Sequence, residues 1–170
     1  MTPFIIKNLN ETGPNYNHLA TSTYQTALID QGLLDKFERV TGHKPHRLLT
    51  RGIFFAYSEF EAILDKYERK EPFYLYTSRA PSGDSLHIGH YITLSFCKYL
   101  QDVFDVPLII QITDYEHMMY RGQEIAADKV TKIAQSNVKD ILAFGFNLEK
   151  TFAFIDSQYM KNLYINVISV

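Results

Sequence analysis

PFYLYTSRAPSGDSLHIGH, residues 72–90, is the stretch on which the reading of the fold turns. FYLYT (73–77) is a short β-prone run of aromatic and other large residues. APSGDS then brings small side chains, with Pro81 stiffening the loop and Gly83 giving it conformational freedom. A helical pattern begins at about Leu86. Strand, small-residue loop and helix N-terminus in succession place unpaired backbone N–H groups, and the positive end of a helix dipole, at the loop. That is a natural seat for phosphate. Neither G-x-G-x-x-G nor G-x-x-x-x-G-K-[ST] is present, so a dinucleotide fingerprint and a P-loop are both excluded.

Downstream the pattern repeats. After a helix running to about Phe104, PLIIQIT (107–113) is a continuous apolar run, as expected of a strand covered on both faces. An amphipathic helix follows over about 124–144, with Ala126, Val130, Ile133, Ala134, Val138, Ile141 and Leu142 at helical spacing and Gly145 beyond its end. TFAFID (151–156) is a third strand. The expected fold is therefore α/β, the βαβαβ first half of a Rossmann-like (HUP-type) parallel sheet.

Upstream the chain reads as a helical N-terminal extension over residues 1–70, distinct from the α/β part over 71–170. Residues 1–23 are a polar, turn-rich arm. A helical stripe from about Tyr24 to Val40 (Leu28, Leu33, Leu34, Phe37, Val40) closes at Gly42, with Pro45 preventing continuation. Ser58 and Glu61 have capping-box spacing ahead of a helix over about 59–69.

Composition bounds the partners. At 170 residues, with 46% apolar content and twelve each of Tyr and Phe, the chain can fill a core rich in aromatic rings. Seventeen basic residues against nineteen acidic ones leave a formal charge of -2, so a nucleic-acid partner cannot be argued from charge. Cys97, the only cysteine, lies in an apolar run and reads as a buried thiol. No cysteine–histidine spacing resembles a metal site, so no metal is expected in the protein. The N-terminus lacks the pattern of a signal peptide, and no run approaches the length of a membrane span. No membrane association is expected, and the cytoplasm is the expected compartment.

The helix after the loop opens with His87-Ile88-Gly89-His90. Two histidines three residues apart share a face of the first turn and can donate to phosphate oxygens. The alternative is that they serve only as N-terminal caps. The HIGH tetrad after strand-P-S-G marks class I aminoacyl-tRNA synthetases and related nucleotidyltransferases. More of the sequence carries the likeness: RGIFFAYSEFEAILDKYERKEPFYLYTSRAPSGDSLHIGH, with LQDVFDVPLIIQITDYE after it, resembles the eukaryotic-type tryptophanyl-tRNA synthetases from about Leu28 to the end.

That resemblance implies a ligase of protein biosynthesis. Such an enzyme condenses tryptophan with ATP to an adenylate, releases pyrophosphate, and transfers the aminoacyl group to tRNA(Trp). It implies ATP with Mg2+ as a substrate complex, no tightly bound cofactor, and a homodimer formed through the insertion that includes the 124–144 helix. His87 and His90 become the catalytic pair, stabilising charge on the transferring phosphate. Arg79, Ala80, Ser82 and Gly89 complete the ATP loop, with Gly89 beneath the adenine. Tyr76, Gln111 and Glu116 match the positions that recognise the indole, whose one N–H donor needs a fixed acceptor. A core tyrosine, a solvated Arg79 and a surface Glu116 are the plain alternatives.

Ser78 and Ala80 stand where the family often has Gly, and a non-Gly residue would be strained there at positive φ. Tyr115 and His117 replace an acid and a base. The family's second ATP motif, a KMSKS-like loop, does not occur, and a three-stranded sheet alone would leave an apolar face uncovered. Three readings follow: the N-terminal part of a tryptophan–tRNA ligase, a non-catalytic ATP-binding or dimerising module, or a tyrosine-specific enzyme.

Overall fold

The structure, a computed structural model, describes residues 27–81, 83, 85–115 and 126–168. The expected arm at 1–23, Ser82 and Glu116 of the expected site, and His117 lie outside the described residues. The chain divides into two compact units, Met1–Phe73 and Tyr74–Val170.

In the first unit, β1 (Ala27–Leu28) pairs antiparallel with β2 (Ala56–Tyr57), around α1 (Gln31–Thr41), the one-turn α2 (Arg47–Thr50) and α3 (Phe60–Glu68). The helix expected from about Tyr24 begins only at Gln31. Asp30 sets that start, because its Oδ1 accepts the Leu33 N–H at 2.8 Å; such a cap contributes on the order of 1 kcal/mol. Leu28, expected on the helical stripe, is instead in β1 and 70% exposed. The rest of the stripe holds, with Leu33 and Phe37 buried. Gly42 closes α1 at φ 72, its N–H donating to Glu38 O at 2.8 Å. Ser58, the expected N-cap, stands one residue before the observed one. The N-cap is Glu59, at φ 58 and without a side-chain cap bond, so a left-handed backbone step turns the chain into α3. Phe37 stacks on Phe60 with ring centroids 6.0 Å apart, and Leu64 is fully buried beside this contact of α1 with α3. Ion pairs Lys36–Asp65 (2.7 Å) and Arg39–Glu68 (2.8 Å) flank the same helices and add little, being solvent-exposed.

The second unit runs β3 (Leu75–Arg79), α4 (Ile88–Phe104), β4 (Leu108–Ile112), α5 (Ala127–Leu142), a 3-10 turn (Leu148–Lys150), β5 (Thr151–Ile155) and α6 (Asp156–Ile168). The strands form one parallel sheet in the order β3-β4-β5, the βαβαβ arrangement expected. β3 lies two residues later than FYLYT because strand pairing, not local propensity, sets its limits. Leu75 N–H donates to Pro107 O at 2.8 Å, and Arg79 O accepts from Thr113 N–H at 2.9 Å.

Burial alternates along β4: Leu108, Ile110 and Ile112 are buried, while Ile109 and Gln111 are half-buried. The strand is therefore not equally covered on both faces among the described residues. The buried face is covered by helices. α4 turns Leu94, Phe96, Leu100 and Phe104 inward, and α5 buries Val130, Ala134, Asn137 and Ile141 at helical intervals. The opposite face carries Tyr76, Ser78, Gln111, Phe152 and Phe154. No described helix is long and apolar enough to cross a membrane.

Candidate active site

Two constellations form where the strands of the second unit lead into its helices. The first is the turn from β3 into α4. His87 is the N-cap, with an extended backbone (φ -105, ψ 173). Its Nδ1 accepts the Gly89 N–H at 3.1 Å, and His90 Nδ1 accepts the His87 N–H at 3.2 Å. The imidazoles thus form the reciprocal box that Ser and Glu usually build, and they stack at 3.6 Å between centroids. The capping role is compatible with a phosphate role. With Nδ1 accepting in each ring, a neutral imidazole carries its proton on Nε2, which remains the donor.

Arg79, the last residue of β3, places Nη2 3.1 Å from His90 Nε2. A guanidinium has only donors, so with His90 Nδ1 engaged as acceptor these two nitrogens meet donor to donor. An anionic oxygen that accepts from both suits this geometry. Burial foremost, then the charge of Arg79 and the neighbouring His87, holds His90 down at about 4, so it is neutral at physiological pH. Burial also lowers the Arg79 pKa, against the opposing pull of Asp140.

Gly89 has a local reason. A Cβ there would stand 3.1 Å from His87 Cε1 and 3.2 Å from its Nδ1, so the His87 ring occupies the space that a side chain would need. Gly83, at φ 68, accepts from Asn137 Nδ2 at 3.1 Å through its carbonyl, and Asn137 is fully buried. Neither Ser78 nor Ala80 is among the positive-φ residues, so the strain expected there is absent. An open cleft of about 430 Å³ runs beside this turn, lined by Ser85, Leu86, His87, Ile88, Tyr91, Leu94, Asp140 and Phe144.

The second constellation crosses the sheet. Tyr76 Oη donates to Gln111 Oε1, and Gln111 Nε2 donates to Asp156 Oδ1 at 2.7 Å. Ser78 is the register partner of Gln111, so Tyr76, two residues earlier, reaches it as a diagonal neighbour on the same face. Tyr76 is thus the second residue of β3. Tyr76 is 42% exposed, whereas Asp156 is fully buried. Burial pushes the Tyr76 hydroxyl up; a hydrogen bond from Ser78 opposes this, and Asp156, Tyr115 and Tyr74 add to the rise. Nearby, the buried Asp114 accepts from Ser157 N–H at 3.0 Å and from the Ser157 hydroxyl, tying the exit of β4 to the first turn of α6.

Of the expected residues, the structure brings Arg79, His87, Gly89 and His90 into one cluster and Tyr76 with Gln111 into the other; Ala80 lies on the loop. Asp156 and Asn137 were missed. In sequence, Asp156 is only the end of TFAFID, and Asn137 is a polar interruption in an apolar stripe. Among the described residues, no three His, Cys, Asp or Glu side chains are placed to hold a metal ion.

A half Rossmann-like sheet with an imidazole-capped turn at the carboxyl ends of its strands is class I synthetase architecture. The family model described as "tRNA synthetases class I (W and Y)" matches residues 68–169, and the chain belongs to that family. Its relatives include the cytoplasmic tryptophan–tRNA ligase of Schizosaccharomyces pombe, 45% identical over 175 residues, an alignment covering 100% of this chain and 44% of that protein. The solved tryptophanyl-tRNA synthetase from Trypanosoma brucei superposes with a TM-score of 0.80 at 45% identity, over 91% of this chain and 46% of that one. The tryptophan-bound enzyme from Encephalitozoon cuniculi gives 0.82 at 33% identity, over 91% and 43%. The chain therefore spans less than half the length of these relatives.

Proposed function

We propose that this chain carries the tryptophan- and ATP-recognising part of a tryptophan–tRNA ligase. In the whole protein, the tryptophan carboxylate attacks the ATP α-phosphate, pyrophosphate leaves, and the aminoacyl group passes from tryptophanyl-adenylate to tRNA(Trp). His87, His90 and Arg79 supply donors to the phosphates and stabilise the charge that builds there. Ala80, Ser82 and Gly89 line the nucleotide loop, and Mg2+ accompanies ATP as part of the substrate. Tyr76 and Gln111 recognise the indole together with Glu116.

The observation that carries this reading is the Tyr76–Gln111 pair on the same parallel sheet whose first strand leads into the histidine-capped turn. Amino acid and nucleotide sites on one sheet suit a reaction that joins the two. The names of the relatives favour tryptophan over tyrosine and support the cytoplasm as the compartment. A homodimer through the region of α5 belongs to the same proposal.

The chain has no tryptophan residue, which makes the test direct. Selective excitation of indole reports ligand tryptophan alone. Tryptophan is expected to bind with a saturable change in emission, to resist displacement by excess tyrosine, and to bind more tightly with ATP–Mg2+ present. Indifference between the two amino acids would refute the reading.

A further inference from the structure

We infer that Asp156 is a positioning residue for indole recognition: it locks the Gln111 amide with its oxygen toward Tyr76, so that Tyr76 meets the substrate as a hydrogen-bond acceptor. The inference rests on the tryptophan reading above and extends it to a residue 45 positions away from Gln111 in the chain.

The logic is one of hydrogen-bond polarity. A carboxylate only accepts. Whatever amide atom stands 2.7 Å from Asp156 Oδ1 must therefore donate, which makes it Nε2. The amide is planar and its other end is then Oε1, an acceptor, so the Tyr76 hydroxyl spends its one proton on Gln111. The phenolic lone pairs are left to receive, and an indole N–H can only donate. With the amide reversed, Oε1 would face the Asp156 carboxylate, acceptor against acceptor. Nε2 would donate to Tyr76, and the tyrosine proton would turn toward the ligand, donor against donor. Asp156 is fully buried and opens α6, while Gln111 and Tyr76 belong to the paired strands β4 and β3, so two neighbouring strands and one helix start hold the relay in place. Asp156 does not itself touch the substrate in this scheme; it acts through Gln111.

The test measures preference rather than affinity alone, because a merely structural role would weaken all ligands alike. Tryptophan is competed against 3-benzothienylalanine, in which sulfur replaces the indole N–H. The parent chain is expected to prefer tryptophan by roughly tenfold, the worth of one hydrogen bond plus the penalty of leaving its acceptor unmet. Asp156→Asn can either accept or donate, so the lock is lost and the preference should fall to about twofold. Tyr76→Phe should abolish the preference too, and adding Asp156→Asn to it should change the preference no further.

A folded Asp156→Asn chain with the parental preference would overturn the inference while leaving the tryptophan reading intact. A parent chain with no preference would bring down both. Should the Asn variant fail to fold, NMR on the parent decides. A scalar coupling across the hydrogen bond from Gln111 Nε2 to the Asp156 carboxyl carbon supports the lock, and its absence overturns it.

Discussion

Replacing Gly89 by alanine separates the two jobs of the His87 ring. The new Cβ would sit 3.1 Å from His87 Cε1 and 3.2 Å from Nδ1, closer than an imidazole tolerates without moving. His87 is exposed, so its ring can swing away, and the Gly89 N–H then loses its acceptor. Loss of such a cap costs about 0.5–2 kcal/mol. Alanine in place of glycine in the first turn of a helix returns about 0.5–1 kcal/mol. The net change in stability is therefore small, within about 1.5 kcal/mol of zero. Nucleotide affinity should not be spared. A hydrogen bond from His87 Nε2 to a charged phosphate is worth about 1.5–3 kcal/mol, so losing it weakens ATP binding roughly 10- to 100-fold. Thermal unfolding and an ATP–Mg2+ titration on the same preparation read both quantities. Parental affinity in a variant of parental stability would refute the assignment of His87 to phosphate.

Three further outcomes are expected. His90 is held at about 4 in the ligand-free chain, and a bound polyphosphate must raise that value. Binding then takes up a proton, and affinity rises as pH falls from about 7 toward about 5; calorimetry in buffers of different ionisation enthalpy checks this, and a pH-independent affinity counts against contact with His90. Ile110→Ala, at the fully buried centre of β4, should lose about 2–5 kcal/mol in denaturant unfolding, and a loss much below that range would show that the site collapses around the gap. Burial pushes the Cys97 thiol up to about 11, so alkylation at neutral pH should be slow in the native chain and fast once it is unfolded; rapid native labelling would contradict its placement.

The elements legible in the sequence were those fixed by local chemistry. Gly42 had to take the left-handed closing position of α1, and PLIIQIT could only be a sheet strand. The histidine-capped turn was legible for the same reason, since its strand, small loop and paired histidines lie within twenty residues. Local spacing misled where a competing local signal was stronger. Leu28 fits the helical period, yet Asp30 supplies an acceptor that starts the helix after it. Ser58 and Glu61 have the separation of a capping box, but the chain enters α3 through the left-handed Glu59. The limits of β3 depended on partners more than thirty residues away. Asp156 and Asn137 were illegible because their chemistry is defined by Gln111 and Gly83, at separations of 45 and 54 residues.

The bond from Asn137 to the Gly83 carbonyl also bears on how fast a ligand can be captured. Fixing the backbone of a loop residue costs about 1–2 kcal/mol of conformational entropy. Gly83, fastened by the fully buried side chain of Asn137, has already lost part of that freedom when the protein folds. Under the proposed function, a nucleotide arriving at this turn would find Gly83 already held, with that much less backbone to order on binding.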